Sequence, residues 1–139
     1  MKKILLTGIL FFIPLVLSAA EVHFLIKQLK NNNGVVRIAV YNSAESFVQP
    51  EKTFAVCDSQ SPLQNRTARV VCRLEPGQYA AAMYHDENGN GKLDTNFIKL
   101  PREGYGFSNN AKLSFGPPRY EDAVFSVSED MEQDITLQY

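Results

Sequence analysis

The chain has 139 residues, 45 % of them hydrophobic, with 14 Lys and Arg against 15 Asp and Glu and a formal net charge of −1. So even a balance offers no basic footprint for nucleic acid, and the length fits a single domain. There is no glycine-rich phosphate loop and no zinc-ligand spacing.

Lys2 and Lys3 precede an apolar run from Ile4 to Leu17, followed by Ser18-Ala19-Ala20. A charged start, a short apolar middle and small residues at −3 and −1 predict a secretory signal peptide over residues 1–20, cut after Ala20. The product is then periplasmic or secreted. Pro14 and the shortness of the run argue against a permanent span; a retained anchor is the alternative. No cysteine follows the cut, which argues against lipid attachment there. The domain is then residues 21–139, with twelve basic and fifteen acidic residues and a net charge near −3.

Within it, residues 22–29 are a first apolar run, and Asn31-Asn32-Asn33-Gly34 is a turn. In residues 35–42, Val36, Ile38 and Val40 share one face, with Val35, Arg37, Ala39 and Tyr41 on the other. Residues 43–52 are looser, with a short helical turn ending at Pro50. Residues 53–57 are β-rich and 58–65 polar. Ala68, Val70, Cys72 and Leu74 alternate with outward Arg69, Arg73 and Glu75. Pro76-Gly77 turns the chain. The three alanines of residues 78–85 favour helix, but the segment is too short for a helix entering a metal loop, and its tyrosines suit a strand. We read a strand.

Cys57 and Cys72 enclose fourteen residues and contain no C-x-x-C, so in an oxidising compartment they read as one structural disulfide. The rivals are a buried thiol pair and a redox couple.

The stretch Asp86-Glu87-Asn88-Gly89-Asn90-Gly91-Lys92-Leu93-Asp94 has the spacing of a calcium loop. Asp86, Asn88, Asn90 and Asp94 stand at positions 1, 3, 5 and 9, Gly91 takes the sharp turn at position 6, and the Lys92 carbonyl serves at 7. Calcium wants six to eight oxygens, and these residues supply little else. Position 12 is Phe97 rather than a bidentate glutamate, so another carboxylate must complete the set. Glu103, Glu121 and Asp122 are the candidates, with Glu103 nearest. The rival reading is a solvated hairpin tip made of ordinary turn residues.

Residues 95–119 lack periodicity but hold Phe97, Leu100, Tyr105, Phe107, Leu113 and Phe115, too apolar for disorder; they predict an ordered cover. Tyr105, Phe107 and Tyr120 are expected to pack rather than to bind a glycan or peptide. Ser108 lacks the second glycine of a nucleophile elbow. Residues 120–127 and 133–139 read as closing strands, joined by a hairpin turn at 128–132. The sum is an all-β Greek-key β-sandwich of about seven strands with one long ordered loop.

The run from Leu74-Glu75-Pro76-Gly77-Gln78-Tyr79 into Tyr84-His85-Asp86 and on to Asp94 resembles an uncharacterised bacterial family of small secreted proteins. So do residues 101–110, Phe115-Gly116-Pro117-Pro118 and Asp122-Ala123. The resemblance implies a transthyretin-like (prealbumin-like) sandwich, exported, with no established activity. The chain ends Thr136-Leu137-Gln138-Tyr139 and lacks the Tyr-Arg-Gly-Ser end of the hydroxyisourate-hydrolysing transthyretin-like enzymes. Two function classes follow. One is a non-catalytic module, stabilised by calcium, for an envelope protein or polysaccharide. The other is a small hydrolase using His85 with a nearby carboxylate; an exposed His85 favours the enzyme and a buried one the module.

Overall fold

The computed structural model describes residues 8–139. The charged start of the predicted signal peptide falls in residues 1–7, outside the described residues; residues 8–19 have no regular structure and are exposed. Among the described residues, no helix is long and apolar enough to cross a membrane.

Among the described residues, eight strands form two sheets. In chain order they are β1 (Ala20–Lys27), β2 (Val35–Tyr41), β3 (Ala55–Asp58), β4 (Ala68–Leu74), β5 (Gly77–Asp86), β6 (Tyr105–Phe107), β7 (Phe125–Val127) and β8 (Met131–Thr136), with one short helix, α1 (Tyr120–Ala123), before β7. One sheet has the order β4-β1-β8; the other runs β3-β2-β5, and β6 and β7 share the far edge of β5. All pairs are antiparallel except β1 with β8.

Alternation sets the layers. Val22, Phe24 and Ile26 of β1, Val36, Ile38 and Val40 of β2, and Val70, Cys72 and Leu74 of β4 point into a common core with Tyr79, Ala81 and Met83 of β5. Period-2 burial forces this arrangement, because each strand has one apolar face. Cys57 and Cys72 form a disulfide with Cα atoms 5.7 Å apart. It joins β3, an edge of one sheet, to β4, an edge of the other. The bridge therefore pins the two layers together.

A second cluster lies on the outer face of β2 and β5. Tyr41, Phe47, Ala80, Phe107, Ala111 and Ala123 are buried there, with Ala82, Tyr105, Leu113 and Tyr120 packed against them. Phe47 meets Tyr41, Phe107 and Tyr120 edge-on at 5.7–6.3 Å. The predicted cover is real for this part of the long segment. It does not hold for Phe97, Leu100 and Phe115, which are exposed.

Several boundaries differ from the sequence reading. β5 is a strand, as its length required. Pro50 starts a 3-10 turn (Pro50–Lys52) instead of ending one, which its fixed φ and missing N–H favour. Residues 120–127 split into α1 and β7, and the expected hairpin turn at 128–132 is a crossover between sheets: β7 pairs with β5 and β8 with β1. The polar run has hairpin composition, but the apolar faces on either side belong to different layers.

Candidate functional site

The 86–94 loop leaves the end of β5, whose other side is held by β2 in the register Val35 to Asp86. Gly34, at φ +67°, lets the β1–β2 turn pass so close that a Cβ there would sit 1.8 Å from the Asp86 carbonyl oxygen. The loop is thus anchored at its root.

Asp86 is fully buried. Its Oδ1 accepts from the Asn90 N–H at 3.1 Å, and its Oδ2 from the Gly91 N–H at 2.9 Å and Arg37 Nε at 3.1 Å. Arg37 also reaches Asp58 at 2.9 Å; the Asp86 carboxylate, followed by the charge on Asp58, raises the pKa of its guanidinium above the ordinary arginine value. Gly91 takes φ +80°, the left-handed turn the spacing demanded. Asn88 Oδ1 accepts from the Asn90 N–H and Asn90 Oδ1 from the Lys92 N–H, each at 3.1 Å. Both amide nitrogens turn to Asp94: Asn88 Nδ2 donates to Oδ2, and Asn90 Nδ2 to Oδ1 at 2.8 Å. Those bonds, Asn90 first, hold the Asp94 pKa below its ordinary value.

Glu103 closes the loop from outside it. It is buried, and its two oxygens accept from the Glu87 and Asp94 N–H groups, each at 3.0 Å. Of the three carboxylates proposed to complete the loop, Glu103 is the one brought to it. Glu121 and Asp122 ride on α1, whose Tyr120 hydroxyl contacts the Gln78 carbonyl. Gln78 lies eight residues up β5 from Asp86, about 26 Å away. Asp122 is there engaged by Arg119 at 3.1 Å, which lowers its pKa. Phe97, at the position of an EF-hand's last ligand, is 96 % exposed and no ligand.

An open cleft of about 500 Å³ lies against this loop, lined by Glu87, Asn88, Asp94, Thr95, Arg102 and Glu103. Glu87 Oε2 accepts from Asn31 Nδ2 at 2.9 Å, while its buried Oε1 has no hydrogen-bond partner among the described residues. Sequence spacing missed Glu87, because position 2 of a calcium loop is not a ligand position. An acceptor without a donor beside a cleft lined by three carboxylates fits a hard cation, and Arg102 in the same wall opposes one. Among the described residues, no three His, Cys, Asp or Glu side chains are gathered closely enough to hold a metal alone. Any cation here depends on the asparagine and backbone oxygens.

His85 is fully buried, with Nε2 at 2.6 Å from the Asn33 carbonyl. Ser108 is also fully buried; its hydroxyl accepts from the Ala81 N–H at 2.9 Å and donates to the Ala123 carbonyl. Asn109 Nδ2 donates to the Val124 carbonyl at 2.8 Å, and Asn110 Oδ1 accepts from the Thr136 N–H at 2.8 Å. The Gly106-Phe107-Ser108-Asn109-Asn110 motif is therefore a clasp that ties the cover to β5, to the end of α1 and to β8.

Residues 25–136 match the family described as "Uncharacterized protein conserved in bacteria (DUF2141)", and the chain belongs to it. Neither a curated protein nor a solved structure matches the chain.

Proposed function

We propose that this family member is an exported, non-catalytic β-sandwich module whose 86–94 loop binds calcium and so holds the long segment after it in place for an envelope partner, a protein or a polysaccharide. The observation that carries the reading is Glu103. A buried glutamate from beyond the loop grips both ends of a calcium-type spacing, at the N–H groups of Glu87 and Asp94. A plain hairpin tip needs no such buried carboxylate.

Side-chain oxygens of Asp86, Asn88, Asn90 and Asp94, the Lys92 carbonyl and Glu103 would hold the ion, and Glu87 adds an acceptor at the same cleft. When bound, calcium supplies the positive charge that lets these oxygens converge. In its place, the amide nitrogens of Asn88 and Asn90 donate to Asp94. A half-turn of each amide presents oxygen there instead, at the expense of the bonds those oxygens accept from Asn90 and Lys92. Arg37 already neutralises part of the Asp86 charge. Both effects place the affinity at the weak end for such loops, about 10⁻⁴–10⁻³ M.

The burial of His85 against a backbone carbonyl supports the module over a hydrolase built on that ring. The test is the melting temperature of residues 21–139 in EDTA and in calcium, with magnesium as control. At about 5 mM calcium the expected gain is about 1–2 kcal/mol, or about 4–9 °C. No rise, or an equal rise with magnesium, overturns the calcium reading.

A further inference from the structure

Beyond the cleft, residues 95–101 form a closed finger. Thr95 and Pro101 bridge at its base, and the Arg102 N–H donates to the Asp94 carbonyl at 2.8 Å. Asn96 organises the tip: its N–H donates to the Leu100 carbonyl, its own carbonyl accepts from Lys99, and its Oδ1 accepts from the Ile98 and Leu100 N–H groups at 3.0 Å. Every bond that closes the finger comes from the protein itself. Yet the side chains it presents are apolar and bare: Phe97 is 96 %, Ile98 60 % and Leu100 55 % exposed. A single exposed apolar side chain is ordinary, but three within four residues on a fixed, protruding turn mark an interaction surface.

Charge selects the occupant. Lys92, Lys99 and Arg102 flank or interrupt the apolar tip, with Asp94 the one acid between them, so residues 92–102 carry a net +2 where residues 21–139 carry about −3. We infer that this finger is a lipid-docking tip, in which Phe97, Ile98 and Leu100 enter the headgroup–acyl boundary of an anionic bilayer and the flanking cations engage its phosphates. An apolar tip with Lys99 inside it and with Lys92 and Arg102 at its base, near Asp94 and, for Arg102, beside Glu87 and Glu103 in the cleft wall, fits that boundary without a matching pocket. The inference names a lipid surface, which the proposed protein or polysaccharide partner does not include; it rests on the export part of that reading, but not on calcium.

The domain can be tested without residues 8–19, which are exposed and contribute nothing to either core cluster, and the predicted cut after Ala20 takes from the core only that first, alanine residue of β1. Residues 21–139 are sedimented in EDTA with vesicles of phosphatidylcholine, alone or mixed equally with phosphatidylglycerol. Binding to the anionic vesicles is expected to fall about tenfold or more in the double variant Phe97→Ser, Ile98→Ser, with an unchanged melting temperature because both side chains are exposed. Lys99→Glu is expected to weaken it several-fold. Absence of co-sedimentation, undiminished binding by the double variant, or indifference to Lys99→Glu overturns the inference. Because calcium is absent throughout, such a failure is distinct from failure of the cation site, which is read by melting temperature.

Discussion

Replacing Asp86 with alanine tests whether one buried carboxylate organises the loop. The substitution strands the Gly91 N–H, leaves Asn90 N–H with the Asn88 oxygen alone, and leaves Arg37 with Asp58 alone. A hydrogen bond to a charged acceptor contributes about 1.5–3 kcal/mol, and severing a deep ion pair costs about 3–5 kcal/mol. Arg37 is 31 % exposed and keeps a second partner, so its share is discounted. The sum is about 3 kcal/mol. With an unfolding entropy of about 2.1 cal/mol/K per residue over residues 21–139, that lowers the melting temperature by about 12 °C. Circular dichroism in EDTA measures it, and hydrogen exchange should show the Gly91 amide losing protection before the core strands do. A fall under about 4 °C would refute the reasoning, since Asp86 would then be a bystander to a loop held by its asparagines.

Two further perturbations follow from the same structure. Cys57→Ala with Cys72→Ala, or reduction, removes the bridge between sheets and should cost about 3 kcal/mol for a loop of this size; a melting temperature unchanged by reductant would show the staple to be idle. Burial, the largest cause in each case, raises the pKa values of Tyr79, Tyr84 and Tyr120 above the ordinary tyrosine value. A pKa raised by folding means that this stability is fully present below about pH 10 and is lost as pH rises through the folded values. Ultraviolet titration should therefore place these ionisations late, with the melting temperature falling above about pH 10; a flat profile a unit beyond it would contradict the burial argument.

The strands were legible wherever one face is apolar and the other polar. β2 and β4 could be assigned residue by residue because Val36, Ile38 and Val40, and Val70, Cys72 and Leu74, have no other place to go. The turn at 86–94 was legible because its spacing and its glycine are local. Glu103, the candidate nearest in sequence, is the one whose oxygens reach the Glu87 and Asp94 N–H groups, whereas the place of Glu87 in the cleft wall is set by the fold and has no local signal. Pairing was the least legible feature. Nothing local tells the 128–130 turn that its two neighbours join different sheets, since that choice is made by β5 and β1. Hydrophobicity likewise marked Phe97 and Phe107 alike for the cover. Phe107 follows β6 onto the sheet, while Phe97 sits on a turn closed tightly by Asn96 and is carried outward.

The first strand is the centre of its sheet and one of its two neighbours comes last. Val22 pairs with Met131, 109 positions later, and β1 has its other edge on β4. Closing a loop of that length costs about 4 kcal/mol in chain entropy, offset only when β8 arrives and sets Ile135 beside Ile26 in the core. Were the chain fed through a pore from its N-terminus, as the proposed export requires, the sandwich could not be completed until β8 had cleared the passage, and the order of the strands would time its folding.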